Sequence, residues 1–146
     1  MDKNLNIGQR VIQDLIISGH RITDQVSREL KGFGISEPQY NVLRILRGAK
    51  SEPLAVDEIR RRMVQRSSNV TRIIDKLIDK KFVERHECPT NRRKMDVTIT
   101  PLGLEALKTF DLKVNAIILP MLERLNEKEL TILNILINKL KGKNND

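Results

Sequence analysis

The sequence predicts a mainly α-helical fold carrying one β-hairpin, and three observations support this. From Ser67 onward, apolar residues recur at helical spacing (Val70, Ile73, Ile74, Leu77 and Ile78), so one stripe packs inward. That helix runs into two short strands, 82–86 and 95–100; in the second, Met95, Val97 and Ile99 alternate with Asp96, Thr98 and Thr100 as a half-buried strand requires. Long amphipathic helices lie on both sides of this centre. A helix-turn-helix followed by a hairpin is a winged helix-turn-helix, α+β only through its wing. We read residues 1–146 as a single domain: a winged-helix lobe over 36–100 flanked by helices over 5–31 and 101–141.

Each element has its own signal. The first helix places Leu5, Ile12, Leu15, Ile16, Ile22, Val26 and Leu30 at helical spacing. Gly19 interrupts it at modest cost, and Lys31-Gly32-Phe33-Gly34 ends it, because glycine supplies the left-handed cap. Ser36 opens the second helix in a capping box with Gln39. Pro38 suits its first turn, Val42, Leu43, Ile45 and Leu46 give it a buried face, and Gly48 ends it. The third helix, about 56–63, starts weakly because Ala55 occupies the cap. Asp57 and Glu58 favour its dipole, and Arg60, Arg61 and Arg62 give it a strongly cationic exposed side.

After the hairpin, Thr100 caps and Pro101 begins a long helix through Leu104, Leu107, Val114, Ile117, Ile118 and Met121. Pro120 is expected to kink or break it, since the ring clashes with the carbonyl of Ala116. Asn126 and Glu129 form a second capping box. The last helix has Leu130, Leu133, Ile137 and Leu140 on one side with Ile132 and Leu136 beside them, before a polar tail over 141–146.

Charge points to a partner. The chain carries a net +8 with only 3% aromatic residues. Residues 36–100 hold 15 Lys and Arg against 9 Asp and Glu, a net +6. A localised basic surface without stacking residues favours duplex over single-stranded nucleic acid. On the fourth helix Ser68 and Arg72 point away from the apolar stripe, with Asn69 and Lys76 on one flank and Thr71 on the other. Arginine can bond guanine bidentately, asparagine can bond adenine, and Ser67, Ser68 and Thr71 suit several base edges. Arg60, Arg61 and Arg62 precede this reader and are assigned to phosphates. Between the strands, residues 88–94 read as a loop whose tip, Asn91, Arg92, Arg93 and Lys94, reaches phosphates or a minor groove.

The flanking helices offer more apolar surface than the reader needs. Leu5, Val11, Ile12 and Leu15 at one end and Leu130, Leu133, Leu136, Ile137 and Leu140 at the other are assigned to a two-fold homodimer, which would set two readers on two half-sites. Other chemistry is not visible. One cysteine excludes an internal disulfide framework, and two histidines with scattered carboxylates form no catalytic or metal-binding constellation. No cofactor and no enzymatic activity are expected. No signal peptide or membrane span is visible, so a cytoplasmic location is expected. Cys88, with His86, Arg85 and Arg92 nearby in sequence, has neighbours that could lower a thiol pKa, but it is read as an incidental wing cysteine. His20 is read as a packed or surface histidine.

The segments GISEPQYNVLRILRG, SSNVTRIIDKLIDKKFVERHECPTNRRKMDVTITPLG and LNEKELTILNILINKL resemble the second helix, the reader with its wing, and the closing helix of MarR-type regulators. The resemblance covers residues 5–141 in order, and its most specific part is the wing run ending in Thr100-Pro101-Leu102-Gly103. It implies a winged-helix homodimer based on the terminal helices, a ligand-responsive repressor of a palindromic operator. It also implies a crevice that takes a small anionic or phenolic effector. The family's wing carries Asp-x-Arg; here Asn91 stands at the aspartate position, followed by Arg92 and Arg93, so an orienting charge is absent. The alternative is a winged-helix protein-interaction module without specific DNA binding.

Overall fold

A computed structural model of the chain describes residues 3–50, 52–64 and 69–142. Its elements are α1 (Lys3–Lys31), α2 (Glu37–Gly48), β1 (Leu54–Ala55), α3 (Val56–Arg62), α4 (Val70–Asp79), β2 (Val83–Cys88), β3 (Asn91–Ile99), α5 (Pro101–Leu122) and α6 (Glu127–Leu140). They form two compact units, residues 1–114 and 115–146.

The core of the first unit is built mostly from the stripes that the sequence marks, joined by Ile59 and Val83. Leu30, Val42, Leu43, Ile59, Val70, Ile74, Leu77, Val83, Val97 and Leu107 are each fully enclosed. At about 1.5–3 kcal/mol per buried aliphatic side chain, this shared contact holds the small helices together where propensity alone could not. Phe33 and Phe82 both meet the ring of Phe110 edge-to-face, at centroid distances of 5.7 and 6.2 Å, so the loop after α1, the start of the wing and α5 share one aromatic cluster.

Two helix ends show the same terminating geometry with different residues. At α1, the Ile35 and Gly34 N–H groups donate to the Leu30 and Lys31 carbonyls, and Gly34 takes φ 70° as the cap requires. At α4, the Phe82 and Lys81 N–H groups donate to the Leu77 and Ile78 carbonyls, and here a lysine holds the left-handed position at φ 62°. The Lys81 carbonyl accepts the Thr100 hydroxyl at 2.7 Å, which ties this strained turn to the end of the wing.

Thr100 Oγ1 also accepts the Gly103 N–H at 3.0 Å, so the threonine cap of α5 forms as expected. Gly103 is needed for space. A Cβ there would run into the carbonyl of Phe82, a backbone atom that cannot swing away because it accepts the Thr100 N–H at 2.9 Å. Gly103→Ala is therefore expected to cost about 1–3 kcal/mol of stability, the usual penalty of overpacking. Urea unfolding measures it, and an unchanged midpoint would contradict the close approach.

The sheet is antiparallel in the order β1-β3-β2. Strand β1 is too short to carry a periodic signal and was not expected; Leu54 and Ala55 pair with Val97 and Asp96. The helix expected to kink or break at Pro120 is not broken there; it continues through the proline and ends at Leu122. The proline sits in the last turn and cannot donate to the carbonyl of Ala116, yet the helix is not interrupted there. Gly19 meets nothing within 4 Å of a built Cβ, which agrees with a tolerated interruption.

In the second unit, Asn126 accepts the Glu129 N–H at 2.9 Å while the Glu129 carboxylate accepts the Asn126 N–H at 2.8 Å, completing the expected capping box of α6. None of the residues of α6 is buried. The tail beyond Gly142 lies outside the described residues.

Candidate nucleic-acid interface

Helix α4 is set by its buried side. Val70, Ile74 and Leu77 are enclosed, which turns Thr71, Arg72 and Lys76 to solvent. Asn69, expected on the flank of the helix, is its N-cap residue and is exposed. Ser67 and Ser68 fall outside the described residues. No ion pair engages Arg72 among the described residues, so its guanidinium remains available to a partner.

Helix α3 differs from expectation. Its three arginines are each paired on their own helix: Arg60 with Asp57 at 2.7 Å, Arg62 with Glu58 at 2.7 Å, and Arg61 also with Glu58. The hydrogen bond from Arg62, with Arg61, holds the Glu58 carboxyl below the usual range. The strongly cationic side is therefore partly neutralised, because the carboxylates that favour the helix N-terminus lie three and four residues before the arginines. Solvent-exposed pairs of this kind are worth little, so a phosphate can replace the carboxylates. Beyond α3, the Val64 N–H donates to Asn41 of α2 at 2.9 Å, which positions the entry to the reader.

The wing is tighter than the loop expected over residues 88–94. Strands β2 and β3 extend to Cys88 and from Asn91, leaving a turn at Pro89 and Thr90. Cys88 pairs with Asn91 and Glu87 with Met95, so Arg92, Arg93 and Lys94 occupy an irregularity opposite the Glu87–Cys88 step. All three cations are exposed on a backbone held at both ends by strand pairing. Asn91 Oδ1 accepts the Arg93 N–H at 3.0 Å, so the neutral residue shapes the bulge through the backbone instead of through a charge pair.

Cys88 lies beside Thr90, 3.3 Å from its hydroxyl, and this hydrogen bond rather than the neighbouring cations pulls the thiol pKa down. His86 pairs across the wing with Thr98 at 3.1 Å. Among the described residues no group of three or more His, Cys, Asp or Glu could hold a metal ion, and no helix is long and apolar enough to cross a membrane.

Three contacts, at two places, were not read from the sequence. Arg85 on β2 forms an ion pair with Asp75 on α4. The available signal was strand alternation, since Arg85 lies two residues after buried Val83 and so faces the helix. Tyr40 donates to Asp111 at 2.7 Å, and Arg47 pairs with the same carboxylate, joining α2 to α5. Burial, then the Asp111 contact, pushes the Tyr40 hydroxyl up to about 12. Burial acts to raise the Asp111 pKa, but the hydrogen bonds from Arg47 and Tyr40 outweigh it and hold the carboxyl low.

The candidate residues come together around a cleft of about 290 Å³ lined by Arg60 of α3, Thr71 of α4, Arg93 and Lys94 of the wing, and Arg85. Helix α3 and the wing, separate in sequence, thus bring Arg60, Arg93 and Lys94 to one opening, with Asp57 also on its lining. Lys76 departs from this group. It lines a cavity of about 870 Å³ together with Lys31, Lys80, Ser27 and the first turn of α2 from Ser36 to Gln39.

A family model described as MarR family matches residues 35–95. The HTH-type transcriptional regulator PrsX of Escherichia coli is 31% identical over 94 residues, 64% of this chain and 57% of PrsX, so the match spans little more than half of that relative. A MarR transcription factor structure from Planctomyces limnophilus is 32% identical over 89% of this chain and 94% of its own, with a TM-score of 0.69. The S. aureus MepR–DNA complex shares the fold at 19% identity, with a TM-score of 0.78 over 88% and 93% of the two chains.

Proposed function

This chain belongs to the MarR family, whose matched members are transcriptional regulators and not enzymes, and on that premise we propose that it is a DNA-binding repressor acting as a homodimer on a palindromic operator. The observation that carries the reading is the convergence of Arg60, Thr71, Arg93 and Lys94 on one cleft, beside an α4 whose exposed side presents Arg72. That arrangement suits a duplex, with the reader in a major groove and the wing on the adjoining backbone or minor groove. MepR, of the same fold, was solved bound to DNA.

The larger cavity supports a ligand response. Lys31, Lys76 and Lys80 surround it, and the first turn of α2 adds its positive dipole end, a setting for a small anion or phenolate. Two acids, Glu37 and Asp79, share the lining, and burial raises the Glu37 carboxyl. Lys76 and Lys80 belong to the reader helix and its cap, so a ligand held by them acts directly on the element that reads DNA.

Paired substitutions test the DNA reading. Arg72→Ala is expected to cost about 1–3 kcal/mol on the preferred duplex and to relax preference at one base position per half-site. Arg61→Ala leaves Glu58 still paired with Arg62. It is expected to weaken preferred and random duplexes alike and to shallow the salt dependence by about one unit for each phosphate that is no longer neutralised. Anisotropy titrations over a salt series on duplexes selected from a random pool read both effects. The ion pairing within α3 favours a rival reading, a protein-interaction module whose charge only solvates it. Selection that enriches no duplex would establish that rival.

A further inference from the structure

We propose that Arg85 and Asp75 are a positioning pair that fixes the wing against the reader helix and thereby sets sequence specificity, an inference that rests on the DNA-binding reading above. Arg85 stands on β2 opposite Val97 of β3, and its guanidinium crosses to Asp75 on α4, so the pair bridges the two elements that would enter different grooves. The Arg85 side chain is only 29% exposed, and its Nε is buried without a hydrogen-bond partner. A cation so enclosed is poorly placed to reach DNA itself, and a polar atom left unsatisfied indicates that packing, not solvation, holds the side chain.

The position within the cleft gives the pair its leverage. Arg85 lines the same cleft as Thr71, which stands one turn before Asp75 on α4, and as Arg93 and Lys94 of the wing. The distance from the wing cations to the reading face of α4 is therefore set through this side chain. Arginine suits the task because its planar fork fixes direction as well as distance, which an ammonium on a flexible stem does not. Specific binding requires wing and reader to seat together, whereas random duplexes require only positive charge near phosphates.

Charge alone and positioning predict opposite signs for one substitution. Asp75→Asn removes an acid from a DNA-facing surface, so simple electrostatics raises affinity for every duplex. If the pair positions the wing, Asp75→Asn lowers affinity for the selected duplex about tenfold and leaves random-sequence affinity unchanged or slightly higher, a difference of about 1.4 kcal/mol. Arg85→Lys, which keeps the charge and loses the fork, produces the same loss of discrimination. The combined Arg92→Ala and Arg93→Ala substitution then costs about tenfold less in the Asp75→Asn protein than in the wild type, because a wing already displaced has less to lose. Equal or stronger binding of the selected duplex by Asp75→Asn overturns the proposal, as do equal losses on both duplexes or additive costs with the wing substitutions. A wild type that discriminates no duplex defeats the DNA reading instead, and is distinguished by its own titration.

Discussion

Replacing Arg92 and Arg93 together by alanine is expected to reduce affinity for the selected duplex on the order of 100-fold or more while leaving the fold intact. Each charge-assisted contact contributes about 1.5–3 kcal/mol, and both arginines are exposed on the wing, where they pack against no core. The bulge strengthens the expectation. In a free loop, much of the binding energy would be offset by ordering the chain on binding. Here Cys88–Asn91 and Glu87–Met95 pairing holds both ends of the segment, and Asn91 fixes the Arg93 backbone between them. The cations are therefore presented at little further entropic cost. Circular dichroism and thermal unfolding should match the wild type, and titration on the selected duplex reads the loss. Unaltered affinity would remove the wing from the interface.

What the sequence could reveal followed the range of the forces involved. The capping boxes at Ser36 and Asn126 span three residues each, and the stripe from Val70 to Leu77 spans two turns, so local spacing specified them. Strand β1 exists only because Leu54 and Ala55 meet β3 some forty residues later, and a two-residue strand carries no periodicity. The wing was extended past its expected ends for a related reason. Asn91 to Lys94 look like a solvated loop by composition, but hairpin pairing continues through them by way of the bulge. Arg72 was placed on the exposed side of α4 because helix geometry sets it there, whereas Asp75–Arg85 and Tyr40–Asp111–Arg47 join residues brought together only by the tertiary fold. The arginines of α3 were located correctly but their surroundings were not, since three- and four-residue spacing to Asp57 and Glu58 was available and was read only as a dipole effect.

The dimer carries the second large expected effect. Helix α6 leaves Ile132, Leu133, Leu136 and Leu140 exposed at 56, 41, 56 and 55%, and α1 separately leaves Ile7, Val11, Ile12 and Ile16 exposed at 65, 48, 47 and 55%. Leu15, Leu130 and Ile137 are half-buried, and the side chain of Leu5 lies outside the described residues. Soluble monomers rarely tolerate apolar surface of this continuity along a helix, and a symmetric partner is the economical way to cover it. Leu133→Lys and Leu136→Lys are the informative variants, because both positions are exposed within the protomer and so contribute least to its own fold. Ile137 is already half-buried and would confuse the two roles. At a two-fold interface each substitution buries two like charges, at a cost of several kcal/mol on the order expected for unpaired buried ions. The expected result is a folded, helical monomer by light scattering, with affinity for a two-half-site duplex lowered about 100-fold or more as the linkage between two readers disappears. A dimer that persists with lysine at both positions would exclude α6 from the interface. A folded monomer that still binds the duplex normally would show that a single reader suffices.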